Sequence, residues 1–369
     1  MIRKVLCVLG ALLLIAAGGF FLFSSTGGES NGQALENDVS AEVSFLPTRV
    51  FSGVTYEARP SSSLETILFI GYDHMDEGEL IDGQEGYIKG GQSDFLLLVV
   101  VDHDSKTIRQ LQFDRDTMTD VKFYSKFGAY YGTRRMQICL SHAYGDTQEM
   151  NNRNAIWAVE NFLGIAGEND GAQVDWYISM DITGIDRLND LLGGVTVPIE
   201  HDFSYYDPTM VVGTTMKLNG AQAQIYCRQR YHIADQSNEN RMGRQRVYMH
   251  AAADLLQDRV RAESGYAMEL LNGMGVIFDT SRELDADFGF TTTDQAGTPI
   301  TDTPTHYLMT NNGLDSIAGL LMRVLEYDVL DVEYLPGERH IGPSGYMEFD
   351  AEKDAGVKWA LDALYRPMN

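Results

Sequence analysis

Arginine is concentrated in one short stretch, Tyr226–Arg246, which reads YCRQRYHIADQSNENRMGRQR. The chain as a whole is acidic, with 28 Lys+Arg against 53 Asp+Glu and a formal net charge of −25. Guanidinium groups bind phosphate oxygens in a bidentate manner and stay charged when partly desolvated. The stretch therefore predicts a local anion site. Its plain alternative is a set of solvated arginines paired with neighbouring acids.

The spacing of these arginines indicates how they converge. Arg228 and Arg230 differ by two positions, which places both on one face of a strand. Arg241 and Arg244 differ by three, which places both on one face of a helix that begins near Asn240. A strand end and the following helix would together present four guanidinium groups to one anion.

Two acidic elements flank a pair of apolar runs. Asp94 precedes the run 95–101 (FLLLVVV), and Asp114-Arg115-Asp116 follows the run 107–113. If the two runs form an antiparallel hairpin, the start of one strand lies beside the end of the other. Asp94 and Asp116 would then be neighbours, and paired carboxylates beside a phosphate site favour Mg²⁺. The alternative is that Asp94 caps a turn while Asp114 and Asp116 merely end a strand.

Strands and helices alternate along most of the chain. We expect strands at 66–72, 95–101, 107–113, 174–180, 195–199 and 332–335, and helices at 148–163, 185–192, 244–259, 314–325 and 355–365. The segment 220–227 resembles a short helix that runs into a strand. This alternation predicts an α/β fold, with a single mixed β-sheet flanked by helices on both faces.

The first residues predict a membrane anchor. Arg3 and Lys4 precede the apolar run 5–23, which is about long enough to span a bilayer and has its positive charges on the cytoplasmic side. A cleaved signal peptide is the alternative. The predicted organisation is a cytoplasmic tail (1–4), a transmembrane signal anchor (5–23), an extracytoplasmic stalk (24–63) and a folded extracytoplasmic domain (64–369).

Composition excludes some partners. The acidic balance argues against nucleic acid, because a phosphate backbone needs a basic footprint. Outside the apolar run only Cys139 and Cys227 remain. They can pair or be two buried thiols.

Taken in order, several motifs resemble the LytR-CpsA-Psr family. They are GYD, SD before an apolar strand, RD after the next strand, DITGIDRLNDLLGGVTV, KLNGAQAQIYCRQR and RMGRQR. The resemblance is strongest from Leu64 to about Leu256. It implies an enzyme of the Gram-positive envelope that transfers a glycopolymer phosphate from a polyprenyl-pyrophosphate carrier to peptidoglycan. A phosphodiester forms, lipid monophosphate leaves, and the lipid tail lies in an apolar tunnel.

The resemblance also implies roles for individual residues. The pyrophosphate would be held by Arg115, Arg228, Arg230 and Arg241, aided by Arg244 and Gln245. Mg²⁺ would be positioned by Asp94 and Asp116, with Asp94 drawing the proton from the attacking hydroxyl. Phosphoryl transfer needs mainly charge neutralisation and positioning, which these groups supply.

The chain departs from the family pattern near the site. Gln92 stands where an arginine is usual, Asp114 where a proline is usual, and Asn238 to Asn240 where an aspartate is usual. Two other functions therefore stay open: a polyprenyl-pyrophosphate hydrolase at the same site, and a non-catalytic anchored module that binds lipid carrier or anionic glycopolymer. His142 is more typical of a packed histidine than of a catalytic one.

Overall fold

The computed structural model describes residues 46–73, 91–124, 129–145, 147–166, 172–263, 265–279, 307–324 and 327–368. The predicted anchor at 5–23 and nearly all of the glycine-rich segment 76–91 lie outside these ranges. No helix in the described ranges is long and apolar enough to cross a bilayer.

The described residues form strands and helices in alternation. The strands are β1 (Thr48–Phe51), β2 (Val54–Ala58), β3 (Leu64–Tyr72), β4 (Ser93–Asp102), β5 (Thr107–Phe113), β6 (Met118–Tyr124), β7 (Tyr130–Gln137), β8 (Trp176–Asp181), β9 (Thr196–Pro198), β10 (Thr215–Lys217), β11 (Val276–Phe278), β12 (Leu308–Thr310), β13 (Asp328–Tyr334), β14 (Gly337–Ile341), β15 (Met347–Ala351) and β16 (Tyr365–Pro367). The helices are α1 (Gln148–Leu163), α2 (Gly184–Leu191), α3 (Gly220–Arg228), α4 (Asn238–Ala262), α5 (Tyr266–Met274), α6 (Leu314–Val324) and α7 (Lys353–Leu364), with a 3₁₀ helix at Ile138–His142.

Seven strands form the central sheet, in the order β11-β12-β8-β3-β4-β5-β13. β4 is antiparallel to both β3 and β5, whereas β8 is parallel to β3 and β13 is parallel to β5. The sheet is therefore mixed, as the sequence predicts. Its central strand β4 is buried at every position from Leu96 to Val101, which requires cover on both faces.

Alternate residues of β4 belong to two separate cores. Leu97 and Val99 pack in the core beneath α2 to α6, whereas Leu96 and Leu98 pack in the core beneath α1 and α7. This division follows the two-residue period of a strand, because neighbouring side chains point to opposite faces. The predicted α-β-α sandwich is confirmed.

The start of α4 is fixed by a local cap. The hydroxyl oxygen of Ser237 accepts a hydrogen bond from the backbone N–H of Asn240 at 3.1 Å. Such a cap satisfies one of the donors that a helix leaves unpaired in its first turn. Asn238 and Arg241 consequently occupy the first turn of α4. The helix begins at Asn238, two residues before the predicted start near Asn240.

The prediction of a strand through Arg228 and Arg230 is wrong. α3 continues to Arg228, and Gln229 leaves it in an extended conformation. A capping box between Asn219 and Gln222 stabilises the start of this helix. The two arginines therefore lie at a helix end and in the loop after it, and not on one face of a strand.

Within the described residues four small sheets lie outside the central sheet, and one of them pairs the predicted strand β9 with β10. β6 pairs with β7, β14 pairs with β15, and β1 and β2 form a ribbon with the C-terminal β16. The ribbon places 48–58, which the sequence suggested as part of a stalk, within the folded part of the chain. The β14–β15 hairpin lies against β6, where the backbone N–H of Phe349 donates to the carbonyl of Asp116 at 2.9 Å.

Candidate active site

The β4–β5 hairpin brings Asp94 and Arg115 together. Leu96 pairs with Phe113 across the hairpin, so the residues two positions beyond each of them meet at its end. Arg115 forms an ion pair with Asp94 and a hydrogen bond with the side chain of Gln92. The interpretation of these strands as an antiparallel hairpin is confirmed, but Asp94 and Asp116 each contact Arg115 and do not pair directly.

The second partner of Asp94 comes from α4. Nη1 of Arg241 lies 2.7 Å from Oδ2 of Asp94, and only 3% of the Arg241 side chain and 8% of the Asp94 side chain are exposed. Each carboxylate oxygen of Asp94 therefore has one arginine partner. Because both groups are almost fully buried, this pair joins the helix firmly to the end of the sheet.

Asn238 extends the chain of contacts to Asp114. Its side-chain oxygen accepts a hydrogen bond from Arg241 at 2.6 Å, and its amide nitrogen donates to Asp114 at 3.0 Å. The other oxygen of Asp114 forms an ion pair with Arg339 of β14. Two of the departures from the family pattern, Asp114 and Asn238, thus contact each other.

Asp116 lies on the far side of Arg115 from Asp94. Its Oδ1 lies 3.6 Å from Nε of Arg115 and accepts a hydrogen bond from Gln137 at 3.2 Å. Its Oδ2 is buried and has no hydrogen-bond partner among the described residues. Burial and the neighbouring Asp114 raise the pKa of Asp116. Asp94 and Asp116 are therefore linked through Arg115.

Arg228 and Arg230 lie around the cluster with looser contacts. Nε of Arg228 lies 3.5 Å from Oδ1 of Asp73, and 39% of the Arg228 side chain is exposed. Arg230 lies over the ring of Tyr231, and within the described residues it has no ion pair with a carboxylate. The charge of Arg230 opposes the rise in the pKa of Asp116 that burial causes, so Arg230 lies close enough to act on the cluster.

Arg244 and Gln245 have structural partners. Arg244 donates to the backbone carbonyls of Tyr226 (3.0 Å) and Gln229. Gln245 donates to the carbonyl of Cys227 at 3.3 Å. Both side chains are buried, and burial lowers the pKa of Arg244. Together they hold the end of α3 against α4, and their role in binding pyrophosphate stays a prediction.

Several site residues were not expected from the sequence. Arg339 is far from Asp114 in the chain. The only indication of its role in the sequence was the acid at position 114, which needs a cationic partner. The thiol of Cys139 lies 3.4 Å from Nη2 of Arg115, and burial raises its pKa to about 11, so it is a neutral group. Cys139 and Cys227 are both free thiols, and no disulfide joins them.

His142 holds the chain just before Asp94. Its Nδ1 lies 2.8 Å from the carbonyl oxygen of Gly91, so this nitrogen carries the proton and donates. Its Nε2 lies 2.9 Å from Nε2 of Gln148. Its ring stacks on Tyr72 at a centroid distance of 4.6 Å, and burial lowers its pKa to about 4. The interpretation of His142 as a packed, neutral histidine is therefore consistent with the structure.

An apolar cavity of about 110 Å³ opens at the cluster. It lies between the sheet and the helices α2 and α4, and Asp94 and Gln245 are the polar residues at its cluster end. Its other lining residues are Phe69, Ile70, Gly71, Phe95, Ile178, Met180, Asp181, Ile182, Ile185, Leu188, Cys227, Tyr248, Met249 and Leu308. The site thus joins a charged cluster to an apolar interior.

Comparison with known proteins identifies the family. The LytR-CpsA-Psr family model matches residues 23–264, which is more than half of the 369-residue chain. A polyisoprenyl-teichoic acid–peptidoglycan teichoic acid transferase TagU from Halalkalibacterium halodurans is 28% identical over 195 residues, covering 53% of this chain and 57% of the relative. The chain thus spans about half the length of the curated relatives it matches.

Solved structures share the fold. B. subtilis TagV has a TM-score of 0.53 at 19% identity, covering 81% of this chain and 96% of TagV. A structure of TagT bound to LI-WTA has a TM-score of 0.50 at 19% identity, covering 83% of this chain and 92% of TagT. At this identity the likeness establishes the mixed-sheet fold only. With the family model matching the part of the chain that carries Asp94, Arg115 and the arginine stretch, this chain belongs to the LytR-CpsA-Psr family.

Proposed function

We propose that this protein transfers a glycopolymer phosphate from a polyprenyl-pyrophosphate carrier to peptidoglycan and forms a phosphodiester link. The observation that carries the proposal is the position of Asp94, which lies in the buried arginine cluster and also lines the apolar cavity. A substrate with a charged pyrophosphate and an apolar tail matches both parts. The names of the relatives, and the LI-WTA bound to TagT, support this substrate class.

The arginines supply the pyrophosphate site. Arg228 is partly exposed and only loosely paired, and Arg230 has no carboxylate partner among the described residues. Both are therefore ready to bind an anion. Arg115 and Arg241 are held by Asp94, so they act at fixed positions, which favours stabilisation of a charged transition state.

The reaction exchanges one phosphorus–oxygen bond for another. The acceptor hydroxyl oxygen bonds to the phosphorus that carries the glycopolymer, and the bond from that phosphorus to the bridging oxygen breaks. The bridging oxygen leaves with the lipid monophosphate, and the apolar cavity holds the part of its tail nearest the phosphate. Asp94 takes the proton of the hydroxyl. Phosphoryl transfer depends mainly on positioning and charge neutralisation, and the arginines paired with Asp94 supply both.

Mg²⁺ is the cofactor we propose. The free, buried Oδ2 of Asp116 is a suitable ligand, and Mg²⁺ prefers one or two carboxylates together with phosphate oxygens. Asp94 fits as the second ligand only where one of its arginine partners releases a carboxylate oxygen of Asp94 to the metal. Within the described residues no three His, Cys, Asp or Glu side chains gather as a metal site, so substrate phosphate would complete the coordination. A bound Mg²⁺ supplies further charge neutralisation.

We also propose that the chain is a single-pass membrane protein with an extracytoplasmic domain. The apolar run 5–23 after Arg3 and Lys4 supports this location. It places the site on the side of the membrane where peptidoglycan lies.

The test is a transfer assay with the purified chain. The chain is incubated with Mg²⁺ and a polyprenyl-pyrophosphoryl saccharide, with and without peptidoglycan fragments, and the products are measured by mass spectrometry. We expect lipid monophosphate and a saccharide-phosphate-peptidoglycan adduct. Asp94→Asn should abolish both. Asp362→Asn, the same change at an exposed position of α7, should leave them unchanged.

The other functions give different products. Lipid monophosphate without adduct would indicate a hydrolase. Lipid binding without any product, unchanged by Asp94→Asn, would indicate a non-catalytic module. Either result in the presence of competent peptidoglycan fragments contradicts the proposed transfer.

A further inference from the structure

A second, larger cavity with both polar and apolar lining residues lies beside the active site. It has a volume of about 840 Å³ and lies between α4, β13 and the β14–β15 hairpin. We call it the hairpin groove and define it by Asp114, Met242, Arg246, Tyr334, Arg339 and Phe349; the solvent-exposed acids Glu239 and Asp331 also line it. The hairpin lies outside residues 23–264, the part that the family model matches. We propose that the hairpin groove binds the saccharide acceptor, a carboxylate-bearing peptidoglycan fragment, and this inference rests on the proposed function.

The groove and the apolar cavity meet the same cluster from two sides. Asp94 lines the apolar cavity and Asp114 lines the groove. Between these two carboxylates runs a continuous set of contacts through Arg241 (2.7 Å) and Asn238 (2.6 and 3.0 Å). On α4, Met242 and Arg246 face the groove, whereas Gln245 faces the apolar cavity.

This arrangement suits an in-line displacement. The attacking and leaving oxygens of a phosphoryl transfer lie on opposite sides of the phosphorus. If the lipid monophosphate leaves toward the apolar cavity, the acceptor hydroxyl must approach from the other side of the cluster. The hairpin groove reaches the cluster at Asp114, whereas the apolar cavity reaches it at Asp94.

The lining of the groove indicates the chemistry of its ligand. Arg246 is half-buried on the groove wall, and within the described residues it forms no ion pair with a carboxylate, although the chain has a net charge of −25. Its guanidinium lies 4.8 Å from the ring centroid of Tyr334, so it is held in place. An ordered arginine beside aromatic side chains is suited to a saccharide that carries a carboxylate.

Arg339 gives the groove its link to the reaction centre. It pairs with Asp114 and lies over the ring of Phe349, with 33% of its side chain exposed. Pairing with Arg339 offsets the charge of Asp114, the buried acid of the groove, whereas Glu239 and Asp331 are exposed and screened by solvent. Asp114 and Arg339 therefore form an ion pair next to which the acceptor can bind.

The test measures binding and transfer separately. Binding of a soluble disaccharide-peptide fragment of peptidoglycan to the purified chain is measured by calorimetry, with neutral chitotriose as a second probe. We expect Arg246→Gln and Arg339→Gln to weaken binding of the fragment at least tenfold, with little effect on chitotriose. Arg135→Gln is the matched control, because Arg135 pairs with Asp350 of the same hairpin but does not line the groove. In the transfer assay, the two groove variants should raise KM for the acceptor while KM for the lipid donor stays unchanged.

The outcomes separate this inference from the proposed function. Unchanged acceptor binding and acceptor KM in folded Arg246→Gln and Arg339→Gln would overturn the groove assignment, even if the wild-type chain performs transfer. Binding of lipid-free glycopolymer in place of the peptidoglycan fragment would overturn it as well. A wild-type chain that binds the fragment through Arg246 but transfers nothing would support the groove and refute the transfer. Arg246 is half-buried at the surface, so its variant tests the groove even if Arg339→Gln fails to fold.

Discussion

The contact between Asn238 and Asp114 allows a quantitative test of the site. Replacing Asn238 with aspartate restores the acidic residue that the family usually has before Arg241. In this chain it would place a carboxylate against Oδ1 of Asp114, which now accepts a hydrogen bond from the Asn238 amide at 3.0 Å. We therefore expect Asn238→Asp to destabilise the fold, although it moves the sequence toward the family pattern.

The magnitude follows from two effects. Losing a hydrogen bond to a charged group costs about 1.5–3 kcal/mol. Two like charges at that distance repel by about 5 kcal/mol at an effective dielectric of 20. One of the two carboxyls can instead take up a proton, which removes the repulsion. Raising the pKa of one carboxyl from about 4 to 7 costs about 4 kcal/mol, and this cost sets an upper limit on the repulsion at pH 7. Arg241 and Arg339 offset part of it, so we expect a loss of about 2–4 kcal/mol at pH 7.

The pH dependence has a definite sign. The repulsion raises the pKa of the new carboxyl in the folded state, so its ionisation opposes folding. The destabilisation should therefore grow as pH rises from 5 to 7 and shrink as pH falls.

The assay is urea unfolding of the purified chain, followed by intrinsic fluorescence. Asp114→Asn in the Asn238→Asp background should recover most of the loss, because an amide again faces a carboxylate. Asn240→Asp is the matched control, since it faces Asp235 at an exposed position and should cost under about 1 kcal/mol. An unchanged midpoint for Asn238→Asp, or no recovery in the double variant, would refute this contact.

Three further predictions concern stability. Arg59 donates two 2.7 Å hydrogen bonds to Asp102, which lower the pKa of that carboxyl against the opposing effect of its burial. Arg59→Gln should therefore cost about 1 kcal/mol of unfolding free energy at pH 7. Urea midpoints should show the difference between the variant and the wild type vanishing as pH falls below about 4. His142 is neutral when folded, with a pKa of about 4 against 6.5, so the wild-type chain should lose about 2 kcal/mol between pH 7 and 5, a loss that His142→Gln removes from the midpoint-versus-pH curve. Cys139 and Cys227 are buried free thiols, so both should react with Ellman's reagent only after unfolding; reaction of neither thiol in unfolded, unreduced protein would show that they are paired.

Local patterns in the sequence determined the framework of the fold. The apolar run of β4 and the strand after it predicted a hairpin whose ends bring Asp94 and Asp116 together, and in the structure Arg115 lies between them as a shared partner. The helix at 148–163 ends, as predicted, at Gly164, whose φ of 68° is the left-handed conformation that glycine adopts at little cost. These features depend on residues close in sequence or on a two-residue or 3.6-residue period, and such information is present in the chain itself.

The partners of the site residues were decided by tertiary packing. Arg228 lies at a helix end and not on a strand, because α3 is continued by its packing against α4. Arg244, predicted to bind an anion, is occupied by two backbone carbonyls that the end of α3 brings to it. No local pattern distinguishes an arginine that binds a ligand from one that binds backbone.

The same limit applies to the link between Asp114, Asn238 and Arg339. In the sequence, Asp114 and Asn238 were two separate departures from a family pattern, and Arg339 had no assigned role. The sheet, α4 and the C-terminal hairpin bring them within hydrogen-bonding distance. The sequence by itself determined the central strands β3, β4 and β5 and most of the longer helices, and it indicated that acids and arginines gather near one sheet end. Only the tertiary structure decided which acid meets which arginine, because that depends on packing between elements more than a hundred residues apart.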